Sequence, residues 1–284
     1  MGRQPFGGEV AELIASREVL PGQRLLTWRA PGLARRVQAG QFVHLLAPRP
    51  SGLLLPVIPV AGFDRVGGTV VLLADERSPG AELLRLHDGD EVRLDGPLGR
   101  GFSVDARSRH LLVVCDGTGM ARVRALLDEA VTGGRQVTLL LGVGSAAEVL
   151  PSWLLPDEAE YAVATMDGSL GHRGGVNDLV IDYEAWADQC FAAGAWSLHG
   201  QLAMLARGRD GRLGVARLGR RPGRRITRTA ARRTSWLQVA LPHEAGCTLG
   251  VCLGCVVDGT AGPVRVCREG PTFAIDELVL ERPR

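Results

Sequence analysis

The chain has 284 residues, of which 45% are hydrophobic and 23% charged, enough apolar side chain to bury folded cores and to exclude a wholly disordered protein. That length suits about two domains with a small appendage. No apolar run approaches the roughly 18 residues of a membrane span, and Met1-Gly2-Arg3-Gln4-Pro5-Phe6 carries no secretory apolar core, so a cytoplasmic protein with no membrane span is expected.

All 33 basic residues are Arg, and the formal net charge is +2. Between Leu205 and Arg233 eleven Arg stand against Asp210 alone, a local +10 that leaves −8 on the remainder. This Arg-rich insertion, 207–233, suits either a docking surface for an acidic partner or a solvated loop. It has no aromatic residues to stack on bases, which argues against nucleic acid.

From Glu9 to Phe102 short apolar stretches alternate with turn residues: Arg24–Trp28, Gln41–Leu46, Thr69–Leu73 and Glu91–Leu94, punctuated by Pro21-Gly22, Pro31-Gly32, Gly67-Gly68 and Asp88-Gly89-Asp90. This spacing predicts a small antiparallel β-barrel over 1–103. The rhythm then changes. His110–Val114 reads as a buried strand, Cys115-Asp116-Gly117-Thr118-Gly119 as a glycine turn and Met120–Ala130 as a helix. Strands at Gln136–Leu141, Tyr161–Thr165, Gln189–Ala193 and Ser235–Leu241, with helices at Val176–Tyr183 and Leu198–Ala206, predict a parallel α/β domain over 104–241.

The last segment, 242–284, holds Cys247, Cys252, Cys255 and Cys267 with the spacing C-x4-C-x2-C-x11-C. The first three follow the plant-type ferredoxin run, in which the chain wraps a [2Fe–2S] cluster and a later cysteine closes the fourth position. Gly246, Gly250 and Gly254 interleave with the ligands, leaving room for backbone N–H groups to approach the sulfurs. A four-cysteine zinc site and a pair of disulfides are the alternatives. Cys115 and Cys190 read as small buried residues.

Taken together, Gly40–Leu45, Gly96–Phe102, Asp167–Gly174, Cys252–Val257 and Cys267–Pro271 give the chain a resemblance over nearly its whole length. It resembles the ferredoxin reductase superfamily and, within it, the electron-transfer subunits of NAD-dependent dihydroorotate dehydrogenase. The resemblance implies FAD, NAD and one [2Fe–2S] cluster as cofactors, with no catalytic residue for substrate oxidation in this chain. It also implies a flavin-containing catalytic dehydrogenase subunit as partner, in pyrimidine biosynthesis. By the same resemblance, Pro56, Val57, Ile58, Gly80 and Ala81 would face the flavin. Gly117, Thr118, Gly119, Asp167, Gly168 and Ser169 would face the nucleotide, and the four cysteines would hold the cluster.

Three departures stand out. Leu55-Pro56-Val57-Ile58 replaces the family's Arg-Pro-x-Ser, Gly80-Ala81 replaces Gly-Thr, and Asp116 enters the glycine turn. Three functional readings follow: a working flavin and NAD reductase subunit; a divergent member acting as a [2Fe–2S] wire or scaffold without one or both nucleotides; or a non-redox binding protein with a zinc-stapled tail.

Overall fold

The computed structural model describes residues 8–46, 55–78, 80–215, 235–243, 245–247 and 249–280; the side chains of 208–215 and 245 fall outside that description, as does most of the Arg-rich insertion. Six strands form the N-terminal unit: β1 (Glu9–Leu20), β2 (Gln23–Arg29), β3 (Phe42–Leu46), β4 (Leu55–Asp64), β5 (Thr69–Asp75) and β6 (Glu91–Leu98). They run β4-β3-β6-β1-β2-β5, and a β4–β5 pairing closes the barrel as the sequence predicts. Alternation sets the inside face. Leu26 and Trp28 on β2 and Val70, Leu72 and Ala74 on β5 are fully buried. A short helix, α1 (Pro31–Ala34), plugs one end with Leu33 and Ala34. Its Gly32 and Leu33 N–H groups donate to the Glu9 carboxylate at 2.8 and 2.6 Å.

The second unit contains β7 (His110–Asp116), α2 (Met120–Thr132), β8 (Gln136–Val143), β9 (Glu160–Thr165), β10 (His172–Arg173), α3 (Val176–Tyr183), β11 (Gln189–Ala193), α4 (Trp196–Val215) and β12 (Leu237–Ala240). Residues 111–115 of β7 are fully buried because helices cover both faces of the sheet, which is why this strand reads as an unbroken apolar run. On α2, Met120, Val123, Leu126, Leu127 and Ala130 recur at helical spacing and form its buried stripe. The same helix seals against the barrel, where Arg124 donates to the carbonyl of Ala61 at 3.0 Å. Helix α4 begins earlier and ends later than the stretch Leu198–Ala206.

The C-terminal segment ties the two sheets together. Strand β13 (Ala245–Gly246) pairs with β4, followed by the hairpin β14 (Val256–Gly259) and β15 (Gly262–Arg265), then α5 (Val266–Glu269) and β16 (Thr272–Ala274). Strand β16 adds antiparallel to β12, so the second sheet runs β10-β9-β8-β7-β11-β12-β16 and is parallel except at this edge. Ser235–Leu241 is therefore not the last strand of the sheet. Arg100, at the end of the barrel, donates to the Thr272 carbonyl at 2.8 Å, pairs with Glu277 and lies 5.3 Å over the Phe273 ring. The Thr272 hydroxyl lies 2.8 and 2.7 Å from the carbonyls of Arg100 and Gly101.

Candidate functional site

A cleft of about 1240 Å³ opens between the barrel and the α/β sheet. The barrel contributes Val57, Ile58, Pro59 and Gly80 to it, and the sheet contributes Gly117, Thr118 and Val143. Two of the sequence-marked groups thus meet across one space. Pro56 accepts a 2.8 Å hydrogen bond from His44 Nδ1 through its carbonyl, and Ala81 begins a one-turn 3-10 helix. Gly119 packs so tightly on the Ala193 carbonyl that a Cβ has no room there. Asp167, Gly168 and Ser169 are not on the cleft wall. Asp167 accepts from the Ser169 N–H and hydroxyl at 2.9 and 2.6 Å, and the Ser169 oxygen accepts from the Ala146 N–H at 2.7 Å. The Ser169 hydroxyl, followed by its N–H, holds the Asp167 carboxyl below the usual range. This loop braces the ends of β8 and β9.

Val57, Ile58 and Pro59 give the cleft an apolar wall, and the cations that line it among the described residues are Arg77 and Arg122. Leu55 shares the Val57 face of β4 and pairs in register with Gly246. Arg77, on the cleft rim, is tied to Asp75 at 3.2 Å. Carboxylates of Asp75, Glu76, Asp116, Glu148 and Asp178 line the cleft against the guanidiniums of Arg77 and Arg122. An anionic dinucleotide therefore enters against net negative charge.

The cysteine loop starts where β13 leaves β4, so Cys247 follows directly on the strand pair at Leu55 and Pro56. Cys255 and Cys267 pack with Phe42 and Val57 of the barrel. Cys267 is buried, Cys247 and Cys255 are half-buried, and Cys252 is exposed. The Cys252 N–H donates to the Cys247 sulfur at 3.5 Å. Partial burial opposes ionisation of Cys247, but the backbone N–H groups of Cys252, Val251 and Leu249 outweigh it and bring the thiol down to about 6. Burial, the Cys255 thiol and the other two cysteines push Cys267 up to about 12. The chemistry of four cysteines, with backbone donors aimed at the Cys247 sulfur, suits a thiolate-held cluster, but among the described residues no three of these side chains are gathered closely enough to hold a metal ion. Gly250 takes a φ of +70° and presses on the Arg268 side chain, which donates to the Leu249 carbonyl at 3.3 Å and pins the loop.

Two histidines that carry no sequence signal also belong to this region. His199, in the first turn of α4, is fully buried with neither ring nitrogen hydrogen-bonded. His243 lines the cleft with an unpartnered Nε2, edge-on to Phe42. Burial brings His199 down to about 4, with Asp116 opposing and Arg122 assisting, and burial with His44 and Arg122 does the same for His243. The unfolded chain thus binds more protons than the folded one between about pH 6.5 and 4. Stability is full above that window and falls as pH is lowered through it. Going from pH 7 to 5 is expected to cost about 2 kcal/mol per histidine. Urea midpoints at the two pH values measure this, and His199→Leu should remove one histidine's share; the same loss in the variant would contradict the assignment.

The family described as the iron-sulfur cluster binding domain of dihydroorotate dehydrogenase B matches residues 244–279. The dihydroorotate dehydrogenase B (NAD(+)) electron transfer subunit of Desulforamulus reducens is 29% identical over 280 residues, covering 95% of this chain and 98% of that protein. Its counterpart in Geobacillus thermodenitrificans is 27% identical, covering 97% and 100%. Among solved structures, the NADH-dependent reduced ferredoxin-NADP oxidoreductase aligns with a TM-score of 0.74 at 18% identity, over 97% of this chain and 92% of that one. A ferredoxin reductase from carbazole 1,9a-dioxygenase aligns at 0.56 and 19%, over 68% and 63%. These two likenesses are of fold. Residues 244–279 thus match the cluster-binding domain of dihydroorotate dehydrogenase B, and nearly the whole chain is similar to the electron transfer subunits of that enzyme at 27–29% identity.

Proposed function

We propose that the chain passes single electrons between a flavin in the interdomain cleft and a partner dehydrogenase subunit, through a [2Fe–2S] cluster held by Cys247, Cys252, Cys255 and Cys267. The observation that carries this reading is the pairing of Gly246 on Leu55, which seats Cys247 beside the flavin wall while Cys252 faces outward. A flavin, when bound, converts two-electron hydride chemistry with NAD into the one-electron steps a cluster accepts. The chain's own part is to hold these groups close and dry: Phe42 and Val57 pack between cleft and cysteines, and β4 positions both.

The exposed Leu249, Val251 and Leu253 surround Cys252 with apolar surface suited to a partner that receives the electron. The partner proposed is a flavin-containing catalytic subunit that oxidises dihydroorotate in the cytoplasm, in pyrimidine biosynthesis. The charge excess of 207–233 supports docking to an acidic face of that partner. Leu55, Ile58 and the acidic cleft favour a second reading, in which nucleotide contacts are lost and the chain serves as a wire.

Anaerobic mixing of the purified complex with NADH, or separately with dihydroorotate, tests the proposal. Bleaching of the cluster absorbance by both is expected. Bleaching by dihydroorotate alone would support the wire, and bleaching by neither would overturn both readings.

A further inference from the structure

Strand order reverses between β7 and β11, and in open α/β sheets the crevice at that reversal is where an anionic nucleotide group meets the N–H donors of a helix start. Here those donors are already engaged. One oxygen of Asp116 accepts from the Thr118 N–H at 2.9 Å, the Thr118 hydroxyl at 2.6 Å and the Gly119 N–H at 2.9 Å. The other accepts from the Ala195 N–H, across the crevice at the start of α4, at 2.7 Å. The carboxylate thus clasps the turns after β7 and β11 as a bound phosphate would.

A fully buried imidazole with both nitrogens unpartnered is unfavourable in a resting protein. His199 is such a group, one turn beyond Ala195 on α4, and its side chain leans back toward the helix start. Asp116 and Arg122 are the charges that act on it. A neutral imidazole has an N–H to donate, and the Asp116 carboxylate, held on the Ala195 N–H one turn before His199, is an acceptor whose charge reaches it.

Resting on the reading of this sheet as a pyridine-nucleotide site, we propose that Asp116 is a displaceable internal anion that competes with the nucleotide's pyrophosphate, and that His199 receives the carboxylate when the nucleotide enters. Asp116 then sets the affinity of the site. His199 acts as a positioning residue, idle in the empty protein and hydrogen-bonded in the loaded one.

The test is NADH titrated into the full-length protein and followed by energy transfer from tryptophan. Trp196 is 45% exposed and stands 6.3 Å, ring to ring, from His199. Asp116→Gly is expected to lower the Kd by about tenfold or more, and the isosteric Asp116→Asn to lower it by less. His199→Leu is expected to raise the Kd by roughly tenfold while raising the melting temperature. A merely structural histidine gives no such opposition between stability and affinity. Kd values unchanged or higher in both Asp116 variants, an unchanged Kd in His199→Leu, or no NADH binding by any of the four proteins would each overturn the proposal. Iron content of the same samples reports the cluster reading separately.

Discussion

Replacing Cys252 with Ala is expected to take the iron content from about two atoms per chain to near zero and to abolish the visible absorbance, while far-ultraviolet circular dichroism stays unchanged. The two halves of that expectation have different causes. A missing thiolate leaves one iron with an open coordination position, and the cluster is lost as a unit. Cys252 is nevertheless the exposed member of the four, so its removal costs the fold little. Cys267, buried against Phe42 and Val57, would confound the two effects. Iron analysis of anaerobically purified variant and parent decides the matter, and retention of two irons by the variant would contradict the ligand assignment.

The second large effect concerns the flavin. Leu55→Arg combined with Ile58→Ser is expected to tighten FAD by roughly 30- to 1,000-fold, from one charge-assisted contact and one neutral hydrogen bond at about tenfold per 1.4 kcal/mol. Leu55 shares the strand face of Val57, which lines the cleft, and a guanidinium reaching in from there would offset the carboxylates of the wall. Flavin released on gel filtration by the parent and retained by the double variant is the predicted outcome. One FAD per chain retained by the parent would show that other residues already compensate.

What the sequence made legible was local. The cysteine spacing, the β7–α2 turn and the period-2 stretches of the barrel all declare themselves within a few residues, because ligand geometry and strand pleat act over that range. The pairing of β13 with β4 joins residues 189 and 191 positions apart, and nothing in Ala245-Gly246 announces it. Strand β16 has three residues and gains its identity only from the edge of β12. Asp116 appeared in the sequence as a charge out of place; its four donors became visible only once Ala195 was brought across from β11. His199 and His243 are single histidines with no partner at ligand spacing, so their burial beside the cleft follows from tertiary packing alone. The loop of Asp167 to Ser169, which the resemblance assigns to the nucleotide, has a composition that polar turns and polar sites share, and its side chains are engaged with each other and with the Ala146 N–H.

We propose that the four C-terminal cysteines hold two iron atoms beside the strand that walls the interdomain cleft. Anomalous diffraction at the iron edge from anaerobically grown crystals tests it most directly. Two adjacent iron peaks enclosed by Cys247, Cys252, Cys255 and Cys267 are expected. A single peak that appears at the zinc edge instead would contradict it and leave a stapled tail with no electron to carry.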